Sequence, residues 1–174
     1  MKKFLLLVFS FIVLLLICIY VFIPGNVKIA KTEYIRSNAD EAYKALNNEN
    51  SWKKWWPDIG VIKKNNIGTE LFFYKGYRFE LTGQSGNSLE LKITSDLSVA
   101  DSRVVVNKYN SDSIVVNWRC DIKTGISPGK RVLKFREAKE IKKNIGEILS
   151  QLRTFLEEKK QIISPKDSTS SENN

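Results

Sequence analysis

Hydrophobic and polar positions change period several times along this chain. Phe4 to Ile23 forms twenty consecutive positions without a charge, Gly or Pro. That is the length an α-helix needs to cross a bilayer core about 30 Å thick. Lys2 and Lys3 precede the run and Pro24-Gly25-Asn26 follows it, giving a charged start and a helix-breaking stop. From Val27 the pattern becomes strand-like. Residues 27–37, VKIAKTEYIRS, are rich in β-branched and aromatic types and predict a first strand. A helix follows over ADEAYKALNN, with Asn38 or Asp40 as N-cap and acids in its first turn. A second short helix, NENSWKKWWP, ends at Pro57, because the residue before a proline is pushed out of helical backbone.

The period then falls to two. Leu71–Tyr74 leads through a Lys75-Gly76 turn into Tyr77–Thr82, where Phe79 and Leu81 share a face. Gly86-Asn87 makes the next turn before Ser88–Thr94, whose Leu89, Leu91 and Ile93 alternate with polar residues. Arg103–Tyr109 and Ser113–Lys123 follow, separated by the polar turn Asn110–Asp112, and Asp96 and Asp101 read as turn residues. Ile114, Val116, Trp118, Cys120 and Ile122 fall on one face of the last strand. One apolar and one wet face point to an antiparallel sheet. At Ser127-Pro128 a helix begins, with proline at the first helical position, where its missing N–H costs nothing. Its apolar stripe runs from Val132 through Ile141, Ile148, Leu149 and Leu152 to Leu156 and needs a broad apolar partner, which the sheet supplies. Residues 164–174 are Ser/Asn-rich and predict a disordered tail.

Secretory signal peptides share the basic start and apolar run, but their apolar stretch is about 7–15 residues and ends in a small-x-small cleavage site. The exit here reads IYVFIPGNV, without such a pair, so an uncleaved anchor is favoured. Lys2 and Lys3 argue for a cytoplasmic N-terminus; Lys28, Lys31 and Arg36 argue the other way. Long domains translocate largely regardless of charge, so a single-pass protein with its domain outside the cytoplasm is the expectation.

The formal net charge is +9, two units of it from Lys2 and Lys3. The other basic residues are scattered in pairs such as Lys53-Lys54 and Lys142-Lys143, which read as a solvated surface. Attraction to anionic lipid headgroups is the sharper alternative. No nucleic-acid motif accompanies the charge, and no nucleic-acid partner is expected. Of two cysteines, Cys18 lies in the apolar run and Cys120 in a strand, so no intramolecular disulfide is expected. The absence of histidine removes the commonest catalytic base and metal ligand. No cofactor, metal site or catalytic residue is expected, and Cys120 lacks an evident base.

Trp-Lys-Lys-Trp-Trp-Pro at 52–57, preceded by the helix start Asn38-Ala39-Asp40-Glu41-Ala42, resembles the SRPBCC superfamily (START-like, polyketide cyclase/dehydrase type), and in particular its small membrane-anchored bacterial members. The resemblance covers about residues 27–163. It implies an α+β helix-grip fold, a curved antiparallel β-sheet wrapped around a long C-terminal α-helix with an apolar cavity between them. Here one N-terminal transmembrane helix precedes that fold. The expected organisation is an anchor over 1–23, a linker over 24–26, the domain over 27–163 and the tail. Lipid carriers, cyclases and chaperone-associated domains share the superfamily, so fold alone does not give function.

The expected function is binding of a hydrophobic or amphipathic, lipid-like ligand without catalysis. The lining would be Trp55, Phe79, Leu81, Trp118, Leu149 and Leu152, with Tyr74 as a polar handle. The bilayer, through residues 4–23, and a lipid or other hydrophobic small molecule are the expected partners. A protein-interaction or membrane-docking module with a closed core is the alternative, and a cyclase-like enzyme a weaker one. Trp52, Trp55 and Trp56 cannot all face one way on a short helix, so two are expected in the core, with the third exposed or over a cavity mouth.

Overall fold

The computed structural model describes residues 1–58, 62–64 and 70–163; the expected tail, 164–174, lies outside them. The apolar run forms helix α1, Lys2–Phe22, with no residue buried. It is long and apolar enough to cross a membrane. Ile23 is extended and ends the helix. Strand β1, Asn26–Ile35, begins three residues later, so Asn26, placed in the linker by the sequence, is already paired with Lys123.

Helix α2, Ala39–Asn47, is capped by Asn38, whose side-chain oxygen accepts from the Glu41 N–H at 2.8 Å. Asn48 caps helix α3, Glu49–Trp55, in the same way through Asn50 N–H. The strands are β2 (Ile62–Lys64), β3 (Glu70–Tyr74), β4 (Tyr77–Ser85), β5 (Ser88–Thr94), β6 (Val99–Lys108) and β7 (Ile114–Lys123). With β1 they make one antiparallel sheet in the order β1-β7-β6-β5-β4-β3-β2. The last helix, α4, spans Pro128–Ile163.

Two features depart from the sequence expectation. Strand β2 has only three residues, Ile-Lys-Lys, too few to show a period. Strand β6 starts at Val99 rather than Arg103, so Asp101 lies in the ladder opposite Lys92 and Asp121 instead of in a turn. The added stretch, Val-Ala-Asp-Ser, is poor in β-branched and aromatic residues, and pairing on both sides overrides that weak local preference.

Turn chemistry fixes the β3–β4 register. Tyr74 pairs with Tyr77 across a two-residue loop in which Lys75 and Gly76 both have positive φ, 48° and 82°, the type I′ pattern whose twist matches the strands. Along β7 the burial alternates without fault, and Ile114, Val116, Trp118, Cys120 and Ile122 turn inward. Helix α4 covers this apolar face, packing chiefly along β1. At Gly146 the Lys31 stem lies across the helix, its Cε 3.3 Å from where a Cβ would stand.

All three tryptophans of the 52–56 segment are buried, at 1%, 4% and 2% exposure, which corrects the expectation that one would face outward. The helix stops at Trp55, and Trp56 is extended at φ −64°, ψ 134°. Leaving the helix turns its ring back toward the core, an orientation that helical spacing alone does not provide.

Candidate functional site

The predicted lining residues converge on one core. Trp55, Phe79, Trp118, Leu149 and Leu152 are buried in it, and Tyr74 and Leu81 pack against it half-buried. Leu81 lies where the β4–β5 register shifts before Gly83, which loosens its cover. A chain of rings links the predicted aromatics: Trp55 to Trp56 at 5.7 Å, Trp56 to Phe79 at 5.2 Å, and Phe79 to Trp118 at 6.2 Å. Trp52 stacks on Trp56 at 5.4 Å, and Phe72 lies 4.9 Å from Trp52. Centroid spacings of 4.5–7 Å mean direct ring contact, so these side chains fill the middle of the concave face.

Each indole N–H in this cluster has a partner. Trp52 donates to the Leu46 carbonyl at 2.6 Å and Trp55 to the Ala45 carbonyl at 3.2 Å. These carbonyls end α2, where intrahelical partners run out, so the tryptophans complete the helix terminus. Trp56 donates to the Phe73 carbonyl at 3.0 Å, and Trp118 donates to the Ser102 hydroxyl.

One set of polar groups faces α4 from the β3–β4 turn. Tyr74, the expected handle, donates to Glu147 at 2.6 Å, and Lys75 Nζ reaches the same carboxylate oxygen at 2.6 Å. These two hydrogen bonds, Lys75 first, hold the Glu147 carboxyl below its usual range. Tyr77 donates to Glu140 at 3.2 Å, and burial first, then that carboxylate, pushes its phenol well above the ordinary value.

Glu137 is a buried carboxylate that the sequence reading missed. Its Oε1 accepts from the Ser95 hydroxyl, while its Oε2 has no hydrogen-bond partner among the described residues. Ser95 Oγ itself accepts from the Leu97 and Ser98 N–H groups at 3.1 Å, which ties this helix to the β5–β6 turn. The signal was available: Glu137 stands four residues before Ile141 and so falls inside the apolar stripe.

Cys120 is buried, and its thiol is pushed up to about 12, first by burial and then by Asp121, Asp101 and Glu137. A thiol so far above neutrality is a poor nucleophile. No group of His, Cys, Asp and Glu suited to a metal ion occurs among the described residues.

Recesses also lie outside this core. One of about 370 Å³ is bounded by Ser37, Asn38, Glu41, Asp112, Lys159 and Lys160 at the far end of α4. Both of its lysines are already engaged, Lys159 by Glu41 at 2.9 Å and Lys160 by Asp112. Another of about 400 Å³ lies against Thr82, Glu90, Asp101, Arg103, Arg119 and Asp121, and includes the exposed Arg103–Glu90 pair at 2.6 Å.

A curved antiparallel sheet closed over a long C-terminal helix, with two short helices after the first strand, is the helix-grip fold of START/SRPBCC-type proteins. The solved structures similar to this chain include a START superfamily protein from Mycobacterium smegmatis, at 15% identity and TM-score 0.51, covering 79% of this chain and 99% of that one. A norcoclaurine synthase point mutant from Thalictrum, solved with a transition-state analogue, matches at 12% identity and TM-score 0.59, covering 78% and 96%. The di-domain ARO/CYC StfQ of the steffimycin pathway matches at 12% and 0.57, this chain spanning 52% of its length. At such identities the likeness is one of fold. No family profile and no curated protein matches the sequence.

Proposed function

We propose that this protein is a single-pass, membrane-anchored helix-grip domain that holds a hydrophobic or amphipathic, lipid-like molecule between its sheet and α4, without catalysing a reaction. The observation that carries the reading is the direct joining of a bilayer-length helix with no buried residue to the first strand of a fold whose concave face is apolar. Exposed apolar surface of that extent is stable only in lipid, and the domain is then held beside a store of apolar ligands. The fold neighbour solved with a transition-state analogue supports small-molecule binding by this architecture. Glu137 Oε2 would accept from a donor on the ligand's polar end, removing the cost of a buried, unpaired acceptor. The polar side chains around it are engaged in pairs, and Cys120 stays protonated at neutral pH, which supports binding over catalysis. We place the domain outside the cytoplasm because long domains that follow an N-terminal anchor translocate largely regardless of charge.

The ring contacts favour a second reading, a membrane-docked interaction module with a closed core. Because the rings touch, an occupied pocket requires them to part. The two readings separate on one experiment. The full chain is purified in a mild detergent, extracted and analysed by mass spectrometry, then titrated with a fluorescent long-chain alcohol, whose hydroxyl supplies a donor for Glu137. Ligand binding expects an extracted amphiphile, or saturable uptake of the probe near one per chain, weakened by a Glu137→Leu substitution. No extracted molecule and no saturable uptake would leave the closed-core module standing.

A further inference from the structure

The end of the sheet at which α1 leaves differs from the opposite end. Strand β1 starts there, so antiparallel order puts the same end at the β3–β4 turn, the β5–β6 turn and the 124–127 loop after β7. Outside α1, the exposed large aliphatics among the described residues are Leu97, Val99, Ile126 and Leu133, at 55%, 55%, 86% and 48% exposure. The first three lie in or beside these turns, and Leu133 lies in the second turn of α4. Among the described residues, the far-end turns 36–38, 86–87 and 109–113 contain no aliphatic residue. Lys123 and Lys130 are exposed at the α1 end; Asp96 is the acid in its turns, and Asp101 and Asp121 are exposed in the adjoining strands. Both lysines lie within about 10 Å of that end at the rise of a helix or strand, comparable to a Debye length in physiological salt.

The junction with α1 is braced. Tyr20 Oη donates to the Ile126 carbonyl at 2.6 Å, and the Arg131 guanidinium lies 4.7 Å from the Tyr20 ring. Thr124 donates through its hydroxyl to the Pro24 carbonyl at 2.9 Å and through its N–H to the Gly25 carbonyl at 3.0 Å. A 21-residue helix is about 31 Å long, so spanning the core puts its two ends at the two interfaces. Tyr20, two residues from the helix end, then lies at headgroup level, where tyrosine is enriched. Its bond to the Ile126 carbonyl carries the 124–127 loop to that level.

We propose that this end of the domain, with Leu97, Val99, Ile126 and Leu133 as apolar contacts and Lys123 and Lys130 as headgroup contacts, is a docking surface seated on an anionic bilayer. The proposal rests on α1 spanning that bilayer. Continuity with α1 and the pairing of aliphatic with basic side chains select a lipid surface over a protein partner.

The test uses the full chain in a Cys18→Ser background, reconstituted into vesicles of phosphatidylcholine and phosphatidylserine at 7:3. Spin labels are attached one at a time through Leu14→Cys, Leu97→Cys, Ile126→Cys and Asn107→Cys, and depth is read from relative accessibility to oxygen and to a nickel chelate. The expected result is a core reading at 14, an aqueous reading at the far-end position 107, and headgroup readings at 97 and 126. There, chelate accessibility relative to oxygen should be at least threefold below position 107. If 97 and 126 match 107 while 14 reads as membrane core, α1 spans but the domain stands off, and the docking surface is overturned. An aqueous reading at 14 overturns the spanning helix itself. Protection at 97 and 126 that disappears on tenfold dilution in lipid assigns the patch to a second copy of the chain and also overturns the proposal.

Discussion

Replacing Trp56 by alanine tests the part of the core that helical spacing did not predict. Trp56 is 2% exposed, stacks on Trp52, touches Phe72 and Phe79, and donates to the Phe73 carbonyl at 3.0 Å. Truncating a buried tryptophan to alanine costs about 3–5 kcal/mol, and leaving an acceptor unpaired adds to that. Against a domain stability of about 5–15 kcal/mol, such a loss brings the protein close to unfolding. The assay is urea unfolding of the full chain in detergent micelles, followed by circular dichroism. With a denaturant slope of about 2 kcal/mol/M, the midpoint should fall by about 2 M. Trp56→Phe keeps a ring and loses the donor, so its midpoint should fall by less than half as much. An exposed tryptophan would change stability by only about 0.5 kcal/mol. A Trp56→Ala loss below about 1 kcal/mol would therefore refute the placement of the ring and the account of the helix ending at Trp55.

Four further outcomes follow from the same geometry. Gly146→Ala should stabilise the chain by up to about 1 kcal/mol, because helix propensity rises and the only crowding is with the flexible Lys31 stem; a lower melting temperature would count against this. Asn38→Ala should cost about 1 kcal/mol through loss of the cap on Glu41 N–H, whereas Asn38→Asp should be nearly neutral, both read from denaturant midpoints. Cys120 has its folded pKa raised from 9.0 to about 12, so the stability it contributes is full below pH 9 and declines as pH rises through 12. In a Cys18→Ser background, a thiol reagent at pH 8 should label Cys120 only as the chain unfolds, and rapid labelling of folded protein would contradict its burial. Glu147 has its pKa lowered below 4.5 by Lys75 and Tyr74, so its contribution holds above pH 4.5 and is lost on acidification; Glu147→Gln should flatten that part of the stability profile.

The elements legible in the sequence were those with a sustained period or a specific cap. Strand β7 alternates over ten residues, α4 repeats its apolar stripe over many turns, and Asn38, Lys75-Gly76 and Ser127-Pro128 mark boundaries through local chemistry. What escaped depended on tertiary partners. The first residues of β6 are strand because β5 and β7 pair with them on either side. Trp56 is buried because the chain leaves helical backbone one residue before it. The residues expected to line a cavity lie in or against one core, and sequence could not show that Trp52, Trp56 and Phe72 would stand among them in ring contact. Nor could it pair Tyr74 with Glu147 across 73 positions, or place Glu137 against Ser95.

The braced junction changes what an anchor implies for this domain. A flexible linker would let the domain sample many orientations, and any opening on its surface could meet the bilayer. Here two residues, Pro24 and Gly25, separate the Ile23 cap from β1, and both carbonyls are held by Thr124. The orientation of the domain relative to α1 is therefore set by covalent and hydrogen-bonded geometry, and under the proposed anchoring one end of the sheet faces the lipid. That end also holds the Ser95–Glu137 contact, with its open carboxylate oxygen beside the apolar face. An amphipathic molecule arriving from the bilayer would meet the polar acceptor first and would have to part the rings beyond it. The far end is closed by ion pairs that tie α4 to the rest of the domain: Arg153 to Glu33 at 2.7 Å, Lys159 to Glu41 at 2.9 Å and Lys160 to Asp112 at 3.6 Å. Exposed pairs of this kind contribute little stability singly, about 0–1 kcal/mol, but together they oppose the splaying of α4 at that end. The β3–β4 turn ties α4 as well, through Lys75 and Tyr74 to Glu147 and Tyr77 to Glu140, so a ligand entering from the α1 end would have to release those contacts as well as part the rings.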